Sequence, residues 1–574
     1  MTFDLIVRDG TVVDGTGGPS FRSDIGIRDG KIAAFGRIRG GAARVIDAGG
    51  LVVAPGLIDA HTHMDAQVSW DPLGTSSCWH GITSVVMGNC GFSIAPCKPD
   101  YRERLIRALE TVEAIPAEAM LAGIDWRWGS YRQYLQNLDR LPKGINFGGY
   151  IGHSALRPYV MGARAFSELA SSADIEGMRN EVRDALQAGA LGFATSRGKQ
   201  HVTPEGKPVP SMIGDWSEVV AIAGVLEELN VGVLQMARDR TQLGFQRVRE
   251  LALSSRVPIV YDTIPLEEDF RPWLRLTDEA ASAGGRVVAQ AHSRRITTVW
   301  GFHNQLPWDR HPVWKDLRRL PMGQQLEAIR EERFRKRLVK AAYEVPDKGP
   351  IIRTQASIKG PEVFEDILVL RPGGGESPSI AQVARERGKD PVEVVLELSL
   401  EQNLRQLFMH PVSPDDPQGM LDILTHPRTV VTFSDAGAHA SQISDFSLQT
   451  HFLSHWIRQR QIMSLERGIR KMTYDIATFW GMHDRGLLRE GMAADLFIFD
   501  AAKVGPDTPE VSHDFPTGAA RLTQKSVGVH FTIVNGEVLI ENGRHTGALP
   551  GKVLRNRLAS ESATQTPGAR LMPG

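Results

Sequence analysis

Two short motifs carry residues whose types and spacing could do chemistry. Asp59-Ala60-His61-Thr62-His63 ends an apolar run that follows Pro55-Gly56. In an extended segment residues i and i+2 point the same way, so His61 and His63 face one side, close enough to grip one cation. Imidazole suits zinc and similar divalent ions. Far downstream, Phe433-Ser434-Asp435-Ala436-Gly437-Ala438-His439 ends another apolar run. A carboxylate there could ligate the same ion and take the proton of a water which that ion activates. The competing reading of Ser434-Asp435 is a helix N-cap. His439 would touch a substrate or orient Asp435. A His-x-His arises often by chance, and its weight here comes from its place at the end of an inward-facing strand.

The elements that must position these motifs follow from the pattern between them. From Gly56 onward, short apolar runs alternate with helical stretches. GLIDAHTH, GITSVVMGNC, INFGGYIGHS, ALGFATSR, VGVLQMAR, VPIVYDTI, RVVAQAHS and TVVTFSDAG are eight candidate strands. Apolar strands separated by helices mean a parallel sheet covered on both faces. Eight in succession predict a closed (β/α)8 barrel over 56–489, with a doubly wound open sheet as the alternative. The ends of the chain have a different grammar. FDLIVRDGTVVDG, DIGIRDGKIAAFG and ARVIDAGGLVVAPG each suggest two strands around a turn at Asp9-Gly10, Asp29-Gly30 and Gly49-Gly50. After Gly491, ADLFIFDAA and VHFTIVNGEVLIENG return to strands, the latter joined at Asn535-Gly536. Residues 1–55 and 490–548 should therefore make a small β-sandwich from both chain ends. The charged, aromatic segment 300–348, between the seventh and eighth strands, reads as a lid or pocket wall, or as a surface insertion. Residues 559–574 read as a loose tail.

Composition narrows the function classes. The 574 residues suffice for a barrel and an accessory domain, and 66 basic side chains nearly balance 67 acidic ones. Neither nucleic acid nor an anionic membrane is favoured as a partner. Three clustered cysteines, Cys78, Cys90 and Cys97, are too few for a disulfide scaffold. The opening MTFDLIVRDG is not a signal peptide, and no apolar run is long enough for a membrane helix. A cytoplasmic enzyme acting on a small molecule is expected, and a homo-oligomer is compatible with this reading.

APGLIDAHTHMD, GITSVVMGNCGFSIAP, GFATSRGKQHVTPEGKPVP, SDAGAH and RGLLREGMAADLFIFD together resemble the amidohydrolase superfamily, and within it the N-acyl-D-amino-acid deacylase (D-aminoacylase) family. The resemblance covers nearly the whole chain. It implies a (β/α)8 barrel with a β-sandwich, a zinc-type metal, and hydrolysis of a carbon–nitrogen bond in an N-acylated D-amino acid. By the same resemblance, His61 and His63 match the first-strand ligand pair, Cys90 the second-strand cysteine ligand, and Asp435 the catalytic aspartate of the last strand. The small-core-residue reading of Cys90 competes with this.

The chain departs from the family at two places. Where the family has a ligand histidine in His-x-Arg on the fifth strand, this chain reads Met236-Ala237-Arg238; on the sixth it has Asp262 and Thr263. A thioether is a poor zinc ligand, so one divalent ion is expected, held by His61, His63 and Asp435 with Cys90 close by. Alternatively Asp262, His292 or His201 completes a different site, or the chain binds no metal and serves as a binding protein. Hydrolysis of another amide, a cyclic amide or a carbamate is the alternative activity. His153, His201, His292 and Asp262 stand near strand ends and are candidate pocket residues. Arg157, Arg197 and Arg238 also follow strands and could receive a substrate carboxylate. Lys199 is a remote candidate for a carboxylated lysine.

Overall fold

The computed structural model describes residues 2–263, 270–344, 361–371 and 377–559. The chain opens with β1 (Phe3–Val12), β2 (Phe21–Arg28), β3 (Lys31–Gly36), β4 (Ala42–Asp47) and β5 (Val52–Pro55). Of the three turns expected here, only Asp29-Gly30 joins an antiparallel pair, with Arg28 opposite Lys31. At Asp9-Gly10 the chain does not turn back. β1 runs straight through, and its register against β2 shifts between Val7 and Gly10. Asp9 takes a left-handed φ of 57° and its N–H donates to Asp24 Oδ1 at 3.0 Å. An Asx-Gly pair suits a bulge as well as a two-residue turn, and the partner strand decides between them. β4 and β5 both run parallel to β1, one beside its first half and one beside its second, so Gly49-Gly50 links consecutive partners of one strand rather than a hairpin.

The barrel follows. Its strands are β6 (Leu57–Asp59), β7 (Ile82–Met87), β8 (Asn146–Gly152), β9 (Gly192–Ser196), β10 (Val233–Ala237), β11 (Ile259–Thr263) and β12 (Val287–Ala291). After an insertion described below, the last barrel strand is β16 (Thr429–Val431), and the eight strands neighbour one another in sequence order. All eight coincide with the apolar runs read from the sequence. Ile58, Val86, Tyr150, Ala194, Val233, Val260 and Val430 fill the barrel interior. Residues of the opposite parity, such as Val85, Phe193, Leu234 and Tyr261, pack outward beneath the helices. The seam between first and last strand is closed beyond their ends: His63 N–H donates to Ala436 O at 2.7 Å, Asp435 N–H to His61 O at 3.1 Å, and Ala60 N–H to Thr432 Oγ1. The two chemistry-bearing motifs are thus stitched to each other.

The insertion is larger than the expected 300–348. It begins with β13 (Thr297–Trp300), passes through helices Pro312–Arg318, Met322–Arg330 and Glu332–Ala342, then β14 (Leu368–Val369), helices Ile380–Arg387 and Pro391–Glu401, and β15 (Phe408–Pro411). β15 lies between β13 and β14 in a small sheet. The segment has its own core, including Trp300, Trp308, Trp314, Phe364 and Phe408. Trp300 stacks on Phe408, and Trp308 on Trp314, each at 4.6 Å between ring centroids. Its later helices carry ordinary amphipathic stripes, so periodicity alone could not say that they bury against this core and not the barrel. Residues 345–348 of the expected segment lie outside the described residues.

β17 (Leu496–Phe499) pairs with β5 on one side and with Val529–Val534 on the other. Strands of both chain ends thereby form one nine-stranded, branched sheet around its own core of Leu5, Val7, Ile25, Ile27, Val53, Leu496, Ile498 and Ile533. Val534 opposes Glu537 across Asn535-Gly536, as the sequence predicts. The expected tail lies, but for Ala559, outside the described residues. Among the described residues no helix is long and apolar enough to cross a membrane.

Candidate active site

Four side chains converge where the barrel seam meets the tip of β7. His61 and His63 leave the end of β6, Cys90 follows β7, and Asp435 follows β16. His61 Nε2 lies 3.3 Å and His63 Nε2 3.4 Å from Asp435 Oδ1, and Cys90 Sγ lies 3.5 Å from His61 Nε2. The donor atoms of His61, His63 and Cys90 all fall within 4.8 Å of one another.

The backbone makes this convergence possible. Cys90 and Asp435 adopt left-handed φ values of 56° and 53°, uncommon for residues with a side chain and costing about 1–3 kcal/mol each. Gly437, at φ 98°, has no room for a Cβ, which would meet the His63 carbonyl carbon at 2.6 Å. Two buried glutamines brace the donors. Gln235 Oε1, from β10, accepts the Cys90 N–H at 2.6 Å. Gln290, from β12, donates through Nε2 to Ala60 O at 3.1 Å and presents Oε1 to His61 Nδ1 at 2.9 Å. That arrangement makes Nδ1 the protonated nitrogen of His61 and leaves the Nε2 lone pair facing Cys90 and Asp435.

Two imidazoles and a thiol therefore gather their donor atoms in one place, with the Asp435 carboxylate against both imidazoles, and a cation there satisfies them together. The titration behaviour says the same of protons. Burial opposes charge on His61, yet Cys90 and Asp435 outweigh it and push its pKa up to about 10. Burial likewise works to raise Asp435, but its bonds to His61 and His63 hold it well below the usual carboxylate range. Two nitrogens, a sulfur and a carboxylate oxygen form a donor set that suits zinc, so the residues present fit the metal implied by the sequence.

The cluster lies in a cleft of about 110 Å³ lined by His63, Cys90, His201, Asp262, Asp435 and His439, among others. Thr111, Glu113 and Ala114, at the end of helix α1 (Arg102–Glu113), form part of its wall. Arg240 also lines it, with Nη2 3.5 Å from Asp262 Oδ2. Burial would raise Asp262, but Arg238, Arg240 and His61 hold its carboxyl below the usual range. His201 Nδ1 lies 2.6 Å from Ser196 Oγ. The insertion approaches this face through Asn304, whose amide donates to Ser441 O at 2.8 Å, and among the described residues of this region only Ile296, just before β13, is a lining residue.

Other sequence candidates stand away from the cleft. His153 is buried with Nε2 2.7 Å from Glu218 Oε1 and Nδ1 2.9 Å from Thr195 Oγ1, and Arg157 pairs with the same Glu218. His292 Nδ1 sits 2.6 Å from Arg294 O and its Nε2 3.6 Å from Asp445. Arg197 donates to Ser211 O and Gly214 O, both at 2.8 Å. Arg238 is buried, donates from Nε to Asp262 O at 2.9 Å and lies 4.8 Å from the Trp273 ring. Lys199 is exposed. Each follows a strand, but a position just past a strand tip can turn toward the helix layer as readily as toward the axis. Met236 packs in the outward layer, and its neighbour Ala237 lines the cleft. The residues missed from sequence are Glu113, Arg240, Gln235 and Gln290. The two glutamines were legible, as lone polar residues in the apolar runs VLQMA and VVAQA; Glu113 and Arg240 carried no local signal.

A sequence profile of the Amidohydrolase family matches residues 44–540. The chain belongs to the amidohydrolase family. This amidohydrolase is similar to an N-acyl-D-aspartate deacylase of Alcaligenes xylosoxydans xylosoxydans, 29% identical over 96% of this chain and 95% of the relative. A D-aminoacylase of the same organism is 26% identical over 97% and 98% of the two chains. Among solved structures, a D-aminoacylase superposes with a TM-score of 0.65 at 24% identity, covering 96% of this chain and all 100% of the other. An N-acyl-D-glutamate deacylase of Bordetella bronchiseptica, solved with zinc and a phosphonate mimic of the tetrahedral intermediate, gives 0.63 at 23% identity over 97% and 100%. The amidohydrolase shares the fold of these enzymes over 96–97% of its chain.

Proposed function

We propose that this amidohydrolase deacylates an N-acyl amino acid, of the D series, in the cytoplasm, with one divalent ion, zinc, held by His61, His63, Cys90 and Asp435. The barrel, 56–489, is the catalytic unit; the strands of 1–55 and 490–548 form a separate unit. The observation that carries this reading is the gathering of His61, His63 and Cys90, with Asp435 against both imidazoles, on the floor of a cleft that also holds a guanidinium. The relatives named above are deacylases of N-acylated D-amino acids, which supports the same substrate class. A single ion is favoured because Met236 faces the helix layer, and Ala237 and Asp262 line the cleft near where the family's further histidines are expected.

The bound ion supplies Lewis acidity toward the amide carbonyl and lowers the pKa of water. The chain's own groups do the rest. Asp435 accepts the proton of the attacking water and returns it to the leaving nitrogen. Arg240 receives the substrate carboxylate in a charge-assisted pair, displacing part of its contact with Asp262. His201 and His439, on the cleft walls, offer N–H groups to the tetrahedral oxyanion. The negative Asp262 beside Arg240 also leaves room for a second reading, a cyclic amide or carbamate without a free carboxylate.

The test is metal content by elemental analysis, with N-acyl-D-, N-acyl-L- and cyclic amide substrates assayed in parallel. About one zinc per chain, lost in His61→Ala and His63→Ala together with D-selective deacylation, is the expected result. Protein that takes up no metal after reconstitution would overturn the reading.

A further inference from the structure

His61 and His63 face the metal position in the same way but are backed differently. Behind His61 stands a neutral amide, Gln290. Behind His63 stands a carboxylate: Glu113 Oε1 lies 3.4 Å from His63 Nδ1, and the two side chains are only 5% and 4% exposed. Glu113 is the last residue of α1, and the following Ala114 takes a left-handed φ of 49°, which ends the helix and turns the chain along the cleft. The Glu113 carbonyl accepts the His439 N–H at 2.5 Å. One residue thereby touches a ligand on one side and the opposite cleft wall on the other.

The geometry assigns Glu113 a role that the four converging donors do not reveal: we infer that it is the positioning residue for His63 and sets the affinity of the metal site. This rests on the proposed metal-dependent reading. The two nitrogens of an imidazole lie on different edges of the ring, and His63 Nε2 is the one near Asp435. Glu113 therefore stands behind the ring and is not a fifth ligand. Its charge beside Nδ1 favours the hydrogen on that nitrogen, so that Nε2 carries the lone pair, and makes Nε2 the more electron-rich of the two imidazole donors. A carboxylate behind a ligand histidine is worth about 10- to 100-fold in metal affinity. An amide such as Gln290 fixes the tautomer without adding charge. The site is thus asymmetric, with His63 the stronger donor.

The experiment uses Co2+ as the probe. Chelator competition gives its affinity for wild-type protein, Glu113→Gln and Glu113→Asp, and absorption spectra report its ligands. Glu113→Gln should bind Co2+ about 10- to 100-fold more weakly, with the thiolate-to-cobalt band retained and the melting temperature of the metal-free protein little changed. Glu113→Asp, which keeps the charge on a shorter arm, should fall between the two. Equal affinity in all three, with normal wild-type binding, would overturn this inference and leave the metal site standing. Wild-type protein that binds no Co2+ would overturn the metal site and this inference with it. If Glu113→Gln fails to fold, Glu113→Asp decides: wild-type affinity in it counts against the inference, and a several-fold loss with an unchanged spectrum supports it.

Discussion

Two clusters at the tips of the barrel strands are made from similar side chains and have opposite characters. In the first, two imidazoles, a thiol and the carboxylate of Asp435 converge on the cleft floor. In the second, behind the tip of β8, the imidazole of His153 and the guanidinium of Arg157 share the carboxylate of Glu218. Burial works to raise Glu218, but His153 and Arg157 hold it below the usual range. Every acceptor in the second cluster already has a cation from the chain, and Arg157 also donates to Glu168 O at 2.7 Å. The Glu218 carboxylate is thus matched from within the chain. The first has donors of electron pairs on all sides and invites a cation from outside. Residue type does not separate a structural histidine from a ligand histidine; the sign of what surrounds it does.

The comparison can be broken most forcefully at the second cluster. Glu218→Ala should cost about 3–5 kcal/mol of stability, because it strands a buried Arg157 without its counter-ion. Urea unfolding measures this. Asp435→Asn should cost about 1 kcal/mol or less by the same measurement, while kcat falls about 10²- to 10⁴-fold. Similar stability losses in both variants would erase the distinction. A smaller effect is expected at the cleft rim. Arg240→Met should raise KM about 10- to 100-fold for N-acyl amino acids, the value of a hydrogen bond to a charged group, and leave a carboxylate-free amide little changed. Steady-state kinetics on the two substrate types would decide it.

A third histidine sharpens the contrast. His80, between barrel and sheet, is buried beside Thr450 Oγ1 at 2.8 Å and Gln524 O at 3.1 Å. Burial, with Arg294 adding to it and the Gln524 contact opposing, drives its pKa down from 6.5 to about 3. The unfolded chain therefore binds the proton more readily. Stability is fully present above pH 6.5 and is lost as pH falls toward 3, by at most about 1.4 kcal/mol per unit. His80→Gln should show a shallower loss between pH 6 and 4 in urea titrations. An unchanged slope would mean that the ring is charged in the folded protein.

The sequence shows the barrel clearly because each strand had to be apolar on both faces, and the run lengths survive in VPIVYDTI or RVVAQAHS. It shows His61, His63, Cys90 and Asp435 together, through a motif spacing and a resemblance. It does not show which way residues just beyond a strand turn, so His153, His292, Arg197 and Arg238 were expected in a cleft that they do not line. Arg240, two residues past Arg238, lines it instead. Nor does local pattern reveal partners brought together by the fold. Glu113 ends a helix with no motif, and the β13–β15 pairing spans more than a hundred residues. The Asp9-Gly10 pair had the chemistry of a turn, and the partner strand made it a bulge.

The seam between β6 and β16 has a consequence for how the enzyme comes into being. Ala60 and Thr432, which meet there, are 372 positions apart. At about 5–20 residues per second of synthesis, roughly 20–75 seconds separate the emergence of the two imidazoles from that of the aspartate that completes the site. A nascent chain can hold at most three of the four donors, His61, His63 and Cys90, and metal capture becomes tight only once the last strand has docked. Gain of the ion would then report that the barrel has closed.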